Sequence, residues 1–197
     1  MRRWGRFVVA YALLSLFAYA LCHLLGVNPW SHPEPWWVLD DSERWVYSAG
    51  LGLVLAALLI YSTRVAVKHF GWAQELHRVL RPVARGIDPL GIVLLAALSA
   101  VGEELLFRGL LTPLLGVTAQ AVIFGLVHQV SGPSRWVWVV WAGVVGALLG
   151  LLFVATGSLL GPLLAHGLVN AVNLSYLKWN DLESKGAQLG GLLGQRG

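Results

Sequence analysis

Charge is what this chain has least of: Asp, Glu, Lys and Arg together make up 12% of its 197 residues, while 57% are hydrophobic. Ordinary soluble domains carry about 25% charged residues, and the mean hydropathy of +0.68 lies far on the apolar side. The shortage of charge therefore excludes a soluble globular domain and leaves no stretch for a separate one. Cysteine is scarcer still, and the single Cys22 excludes a disulfide within the chain. Three motifs are missing as well. Without an H-E-x-x-H helix, the usual local scaffold of a zinc hydrolase is lacking. Without G-x-S-G in any apolar segment, a serine nucleophile of the intramembrane type is disfavoured. Without internal repeats, a carrier is disfavoured.

What the chain does have is apolar runs of about 20 residues, the length that crosses a hydrocarbon core about 30 Å thick. We expect an all-α fold, a polytopic transmembrane helical bundle of about six spans, near residues 7–27, 46–67, 90–111, 113–130, 136–155 and 158–177. Short joints at Thr112-Pro113, Ser131 to Arg135 and Thr156-Gly157 predict antiparallel hairpins. The organisation expected is one structural domain in three parts. Residues 1–89 would form two helices and a basic interfacial segment, 90–177 a four-helix catalytic core, and 178–197 a cytoplasmic tail.

The net charge of +4 reads as a topology signal and not as a nucleic-acid footprint. Arg2, Arg3 and Arg6, the cluster Arg64, Lys68, Arg78, Arg81 and Arg85, then Arg135, and finally Lys178, Lys185 and Arg196 all fall on one side of six spans. Arg44 falls on the other, among Glu34, Asp40, Asp41 and Glu43. Both termini are thus expected in the cytoplasm of an integral membrane protein, most simply of a bacterial inner membrane. Leu21 before Cys22 spoils a lipoprotein site, so the first helix is expected to remain uncleaved after Ala18-Tyr19-Ala20.

The stretch from Lys68 to Pro82 suits an amphipathic helix on the inner leaflet, with Phe70, Trp72, Leu76, Val79 and Leu80 immersed. His69 and His77, like His23 and His32, are expected as interfacial polar groups. Tryptophans such as Trp30, Trp36, Trp37, Trp45, Trp136 and Trp138 flank the spans as an aromatic belt. Gly143, Gly146 and Gly150 offer a small-residue face for close helix packing.

Against this background "GEELLFRG" (102–109) stands out. An ionisable group in mid-span costs about 2.5 to 3.5 kcal/mol on insertion scales, so each needs a partner or a job. Glu104 and Arg108, four residues apart, can pair on one face, whereas Glu103 points about 100° away and is left for chemistry. Phe124 and His128 in "FGLVH", and His166 and Asn170 in "HGLVN", each share a face one turn apart. Glu103, His166 and Asn170 come out near the bilayer midplane and His128 nearer the inner face, which allows one buried polar cavity.

The three motifs, in this order and at these separations, resemble E-E-x-x-x-R, F-x-x-x-H and H-x-x-x-N of the CAAX protease and bacteriocin-processing (CPBP, Abi) family of intramembrane endopeptidases. The resemblance covers roughly residues 90–175, including the final hairpin with Thr156-Gly157-Ser158 and Pro162. It implies hydrolysis of a peptide bond in a membrane-associated protein or peptide. In that scheme Glu103 is the general base, His128 holds the same water, and His166 and Asn170 stabilise the oxyanion. Glu104 pairs with Arg108 and has a possible direct catalytic part, and Phe124 packs. No cofactor is favoured; in a zinc-dependent version Glu103, His128 and His166 would be the ligands. A non-enzymatic membrane module, whether immunity, chaperone-like or carrier protein, is the reading from a different class. The bilayer and a protein or peptide substrate are the expected partners.

Overall fold

The computed structural model describes residues 4–182, so the tail expected over 178–197 lies outside them from residue 183 onward. The described residues form helices joined by short loops, with one isolated β-bridge between Ser31 and Ser158. They are α1 (Gly5–Leu24), α2 (Asp41–His69), α3 (Gly71–Arg85), α4 (Pro89–Glu104), a π-helical segment (Leu105–Leu111), α5 (Thr112–Val127), α6 (Arg135–Thr156) and α7 (Leu160–Trp179). The fold is a helical membrane bundle. Four helical stretches are long and apolar enough to cross a membrane: Gly5–Leu24, Asp41–His69, Pro89–Val127 and Arg135–Thr156. The last expected span, α7, is not among them. His166, Asn170, Asn173 and Ser175 dilute its apolar content.

The expected joint at Thr112-Pro113 is corrected by the structure. Both residues are helical, because Pro in a first helical turn has no hydrogen bond to lose. The chain reverses instead at Gly116, whose φ of 80° and ψ of 167° suit a residue without Cβ. Reversal is evident from Phe107 and Phe124, with ring centroids 4.8 Å apart. Along an unbroken helix they would be separated by about 25 Å. The Pro89–Val127 stretch is thus a hairpin at the place of the third and fourth expected spans, and its second arm, from Gly116 to Val127, is about 16 Å long and too short to cross the bilayer as the expected fourth span would.

α2 begins earlier than expected because Asp40 and Glu43 form a reciprocal capping box. Glu43's backbone N–H, donating to the exposed Asp40 carboxylate, holds that group below its ordinary pKa. The segment between α1 and α2 folds over the end of α6. Trp36 and Trp37 donate backbone N–H groups to the carbonyls of Val154 and Ala155 at 2.9 and 3.1 Å, and His32 donates to Gly157 at 3.2 Å. These bonds satisfy carbonyls that a helix C-terminus would otherwise leave orphaned. His32, with its ring edge-on to Phe153, belongs to this cover.

α3 departs from a purely interfacial helix. Phe70 and Val79 are exposed, but Ala73, Leu76 and Ala84 are buried against the bundle. His77, expected among head groups, is also buried, where it meets the carbonyl of Asn180 at 2.9 Å and the ring of Tyr176. Burial holds its imidazole below the ordinary pKa, with Arg81 and Arg64 acting in the same direction. The start of α1 packs there too, with Trp4 beside Ile87 and Leu174. Both ends of the described chain therefore lie at one end of the bundle.

At the opposite end α2 and α7 cross almost backbone to backbone. A Cβ on Gly161 would sit 2.3 Å from the Ser48 carbonyl oxygen, and one on Gly52 would sit 2.4 Å from that of Gly161. The Ser48 hydroxyl accepts from the Gly161 N–H at 2.8 Å and donates to the Ser158 carbonyl at 2.9 Å. Gly161→Ala should therefore destabilise the purified protein by about 1 to 3 kcal/mol, the usual cost of overpacking. Thermal unfolding in detergent checks it, with Gly50→Ala as control because a Cβ there meets nothing within 4 Å.

Candidate active site

Consecutive glutamates on a helix diverge, and here they serve different neighbours. Glu104 is fully buried, and its Oε1 accepts from Arg108 Nη1 at 2.8 Å and from His166 Nδ1 at 2.6 Å. Arg108, equally buried, also donates through Nη2 to the Gly146 carbonyl at 3.1 Å and lies 4.5 Å from the centroid of the Phe124 ring. The pair expected from the i, i+4 spacing thus forms. It is part of a larger cluster that ties α4, the π segment, α6 and α7 together.

Glu103 faces the other way, toward α1 and α5. Its Oε2 lies 3.4 Å from His128 Nε2 and 3.7 Å from His166 Nε2, and that oxygen has no hydrogen-bond partner among the described residues. His166 therefore stands between the two carboxylates, bound to one by Nδ1 and presenting Nε2 to the other. The reversal at Gly116 brings His128 to Glu103 from the residue that ends its helix. His128 Nδ1 donates back to the Phe124 carbonyl at 2.7 Å, which points Nε2 at Glu103. Phe124 packs as expected, stacked at a tilt under the His128 ring with centroids 4.2 Å apart.

Tautomers follow from these bonds. In each histidine Nδ1 carries the proton, since it faces a carbonyl in one case and a carboxylate in the other. Both Nε2 atoms and Glu103 Oε2 then present lone pairs to a shared space. Three acceptors facing one another are stable only with a donor or a cation between them: a water, a proton on one imidazole, or a metal ion. No group of three or more His, Cys, Asp or Glu among the described residues forms a ready-made metal cage. The nearest approach to one is this triad.

Asn170 is placed differently. Its Nδ2 donates to Ser99 Oγ at 3.0 Å, one turn before Glu103 on α4, and Ser99 in turn bonds the Ala96 carbonyl. The amide is thus held beside the triad by a serine that the motifs do not include. Tyr11 also escapes the motifs. Its phenol is directed at Glu103 from α1, which approaches so closely at this level that a Cβ on Gly102 would lie 3.1 Å from the Tyr11 carbonyl oxygen. The one signal for it in the sequence is Gly102 itself, a residue without a side chain immediately before the carboxylates.

The polar groups of the site lie on α4, the π segment, α5 and α7, with Tyr11 reaching in from α1. Comparison with known proteins covers the same region. Residues 86–172 match the family described as type II CAAX prenyl endopeptidase Rce1-like. Among curated proteins the chain is similar to the uncharacterized protein YpbD of Bacillus subtilis (strain 168), with 36% identity over 81 residues. That alignment takes in 41% of this chain and 42% of YpbD, so the chain spans less than half the length of that relative. No solved structure matches the chain.

Replacing Arg108 by Ala would strand the Glu104 carboxylate in a fully buried position. We expect a loss of about 3 to 5 kcal/mol in stability, the usual result of breaking one half of a buried pair. Arg108→Lys should recover part of it, since a point charge can reach Glu104 but not also the Gly146 carbonyl. Thermal midpoints and membrane abundance of the two variants measure this directly.

Proposed function

We propose that this chain, which carries an Rce1-like segment over residues 86–172, is an intramembrane endopeptidase that hydrolyses a peptide bond of a membrane-associated protein or peptide. The family is one of proteases. The observation that carries the proposal for this chain is the approach of Glu103 Oε2 to His128 Nε2, 3.4 Å apart. A water donating one hydrogen to each would be held and polarised, and Glu103 would take its proton as it attacks the scissile carbonyl. The oxyanion would then be met by the Asn170 amide and by His166. Because Nδ1 of His166 is committed to Glu104, its Nε2 donates only when the ring is an imidazolium. Glu104 holds the ring through Nδ1, and so its part is to orient His166. The same proton can pass to the leaving amine. Both ends of the chain are proposed to face the cytoplasm of a bacterial inner membrane.

The test works on an unidentified substrate. Membranes from cells with wild-type protein or with Glu103→Gln are compared by mass spectrometry of newly formed peptide termini. Products of the wild type should form at least about 100-fold more slowly with the variant, the lower end of what a general base contributes, at equal protein abundance. Asn170→Ala should slow them by roughly 100- to 1,000-fold, the range for loss of one oxyanion donor. Unchanged product formation by Glu103→Gln would refute the mechanism.

The three converging lone pairs also favour a second reading, in which a divalent cation such as zinc is held by Glu103, His128 and His166. The Nδ1 atoms of both histidines are already bonded to a carbonyl or carboxylate, the usual arrangement behind metal-bound histidine. We favour the metal-free form, because the water-bridged arrangement needs no further ligand. In that form, elemental analysis of active purified protein finds no stoichiometric zinc and prolonged chelation leaves activity intact. Zinc at one per chain, lost and restored together with activity, selects the second reading.

A further inference from the structure

A shallow groove of about 100 Å³, open on one side, runs between α2, α3, α6 and α7 at the end of the bundle where α7 terminates. Its walls include Trp72, Leu76, Trp138, Trp141 and Leu177. Into this apolar space α2 contributes one guanidinium. Arg64 donates to Asn173 Oδ1 at 2.9 Å and to the Val172 carbonyl at 3.3 Å, and it lies 3.8 Å from the centroid of the Tyr176 ring. The ion pairs found among the described residues leave it without a carboxylate.

A second cavity adjoins the first, with His77 in the walls of both, and it is lined by Arg78, Arg81 and Arg85 together with Asp181. Arg81 is paired with Asp181 at 2.9 Å and Arg78 with Glu75. Arg64 lies in the wall of the apolar groove and Arg85 in that of the adjoining cavity, each without a carboxylate among the described ion pairs. The half-buried Arg64 guanidinium, held by an amide oxygen, a carbonyl and an aromatic face, keeps its full positive charge and attracts an anion. An apolar slot with an arginine mouth is complementary to an amphiphile whose head is negative.

We propose that this groove is a specific binding site for an anionic phospholipid, with an acyl chain along Trp72, Trp138 and Trp141 and the phosphate at Arg64. Arginine is suited to the phosphate because its planar fork matches two phosphate oxygens. The proposal stands apart from the peptidase reading. It bears on the same helix, however, since Asn173, which orients Arg64, lies one turn from Asn170.

Tryptophan quenching tests it. The full chain is placed in phosphatidylcholine nanodiscs containing increasing amounts of phosphatidylglycerol or phosphatidylcholine with brominated acyl chains. Lipid that merely surrounds the bundle quenches equally from either headgroup. A specific site should reach half-quenching at roughly ten-fold lower phosphatidylglycerol, the lower end of what a charge-assisted hydrogen bond contributes. Arg64→Gln should erase that preference and Arg64→Lys should keep most of it. Trp141→Phe should lower the amplitude. Equal curves for the two lipids in the wild type, or an undiminished preference in Arg64→Gln, would overturn the proposal. So would release of the quenching by inorganic phosphate, which would mean that the site reads a free anion. If Arg64→Gln fails to accumulate, the wild-type comparison decides alone.

Discussion

The geometry of the site depends on one buried ion pair. Glu104 and Arg108 are both wholly removed from solvent, and taking two charges out of water costs several kcal/mol for each. Their mutual attraction does little more than offset that cost, so net stability is not what the pair provides. It provides position. Glu104 Oε1 is shared between Arg108 and His166, and Arg108 reaches on to the Gly146 carbonyl. Two helical segments besides α4 are tied directly to a single carboxylate and a third through Arg108, and the His166 ring cannot rotate without losing its 2.6 Å bond to that carboxylate.

Backbone irregularity is concentrated around the same residues. The π-helical segment starts at Leu105, directly after the two glutamates, and contains Arg108. A π turn is rarer and less well bonded than an α turn, and it is found mostly where function requires it. Five residues after that segment ends, Gly116 folds the chain back. The cover from α1 to α2 makes a third contribution: Pro29 lies where a Cβ on Gly109 would be, only 2.7 Å away. Glycine at the end of the "GEELLFRG" stretch is thus explained by close approach of another segment.

Much of this is legible in the sequence. Apolar length implies the bundle, and four-residue spacing implies the Glu104–Arg108 pair, because both follow from local geometry alone. The hairpin between α4 and α5 is recognisable too, but the sequence points to the proline for its turn. Pro is the stronger punctuator in isolation, and the position of Gly116 is fixed only by what its two arms pack against. His77 reads as interfacial because amphipathic periodicity defines a helix face and not its neighbours. Tyr11 and Ser99 are invisible for a related reason. Tyrosine and serine are common in membrane helices, and only the approach of α1 to Gly102, or of α7 to Ser99, gives them a role.

His128 is the last side chain before a loop in which Gln129, Ser131 and Gly132 are exposed, and is itself about a quarter exposed. Glu103 is nearly buried yet lies one contact behind it. His128 is thus the one member of the Glu103, His128 and His166 group with more than a tenth of its side chain open to the outside of the bundle, so whatever reaches Glu103 from that side meets the imidazole first.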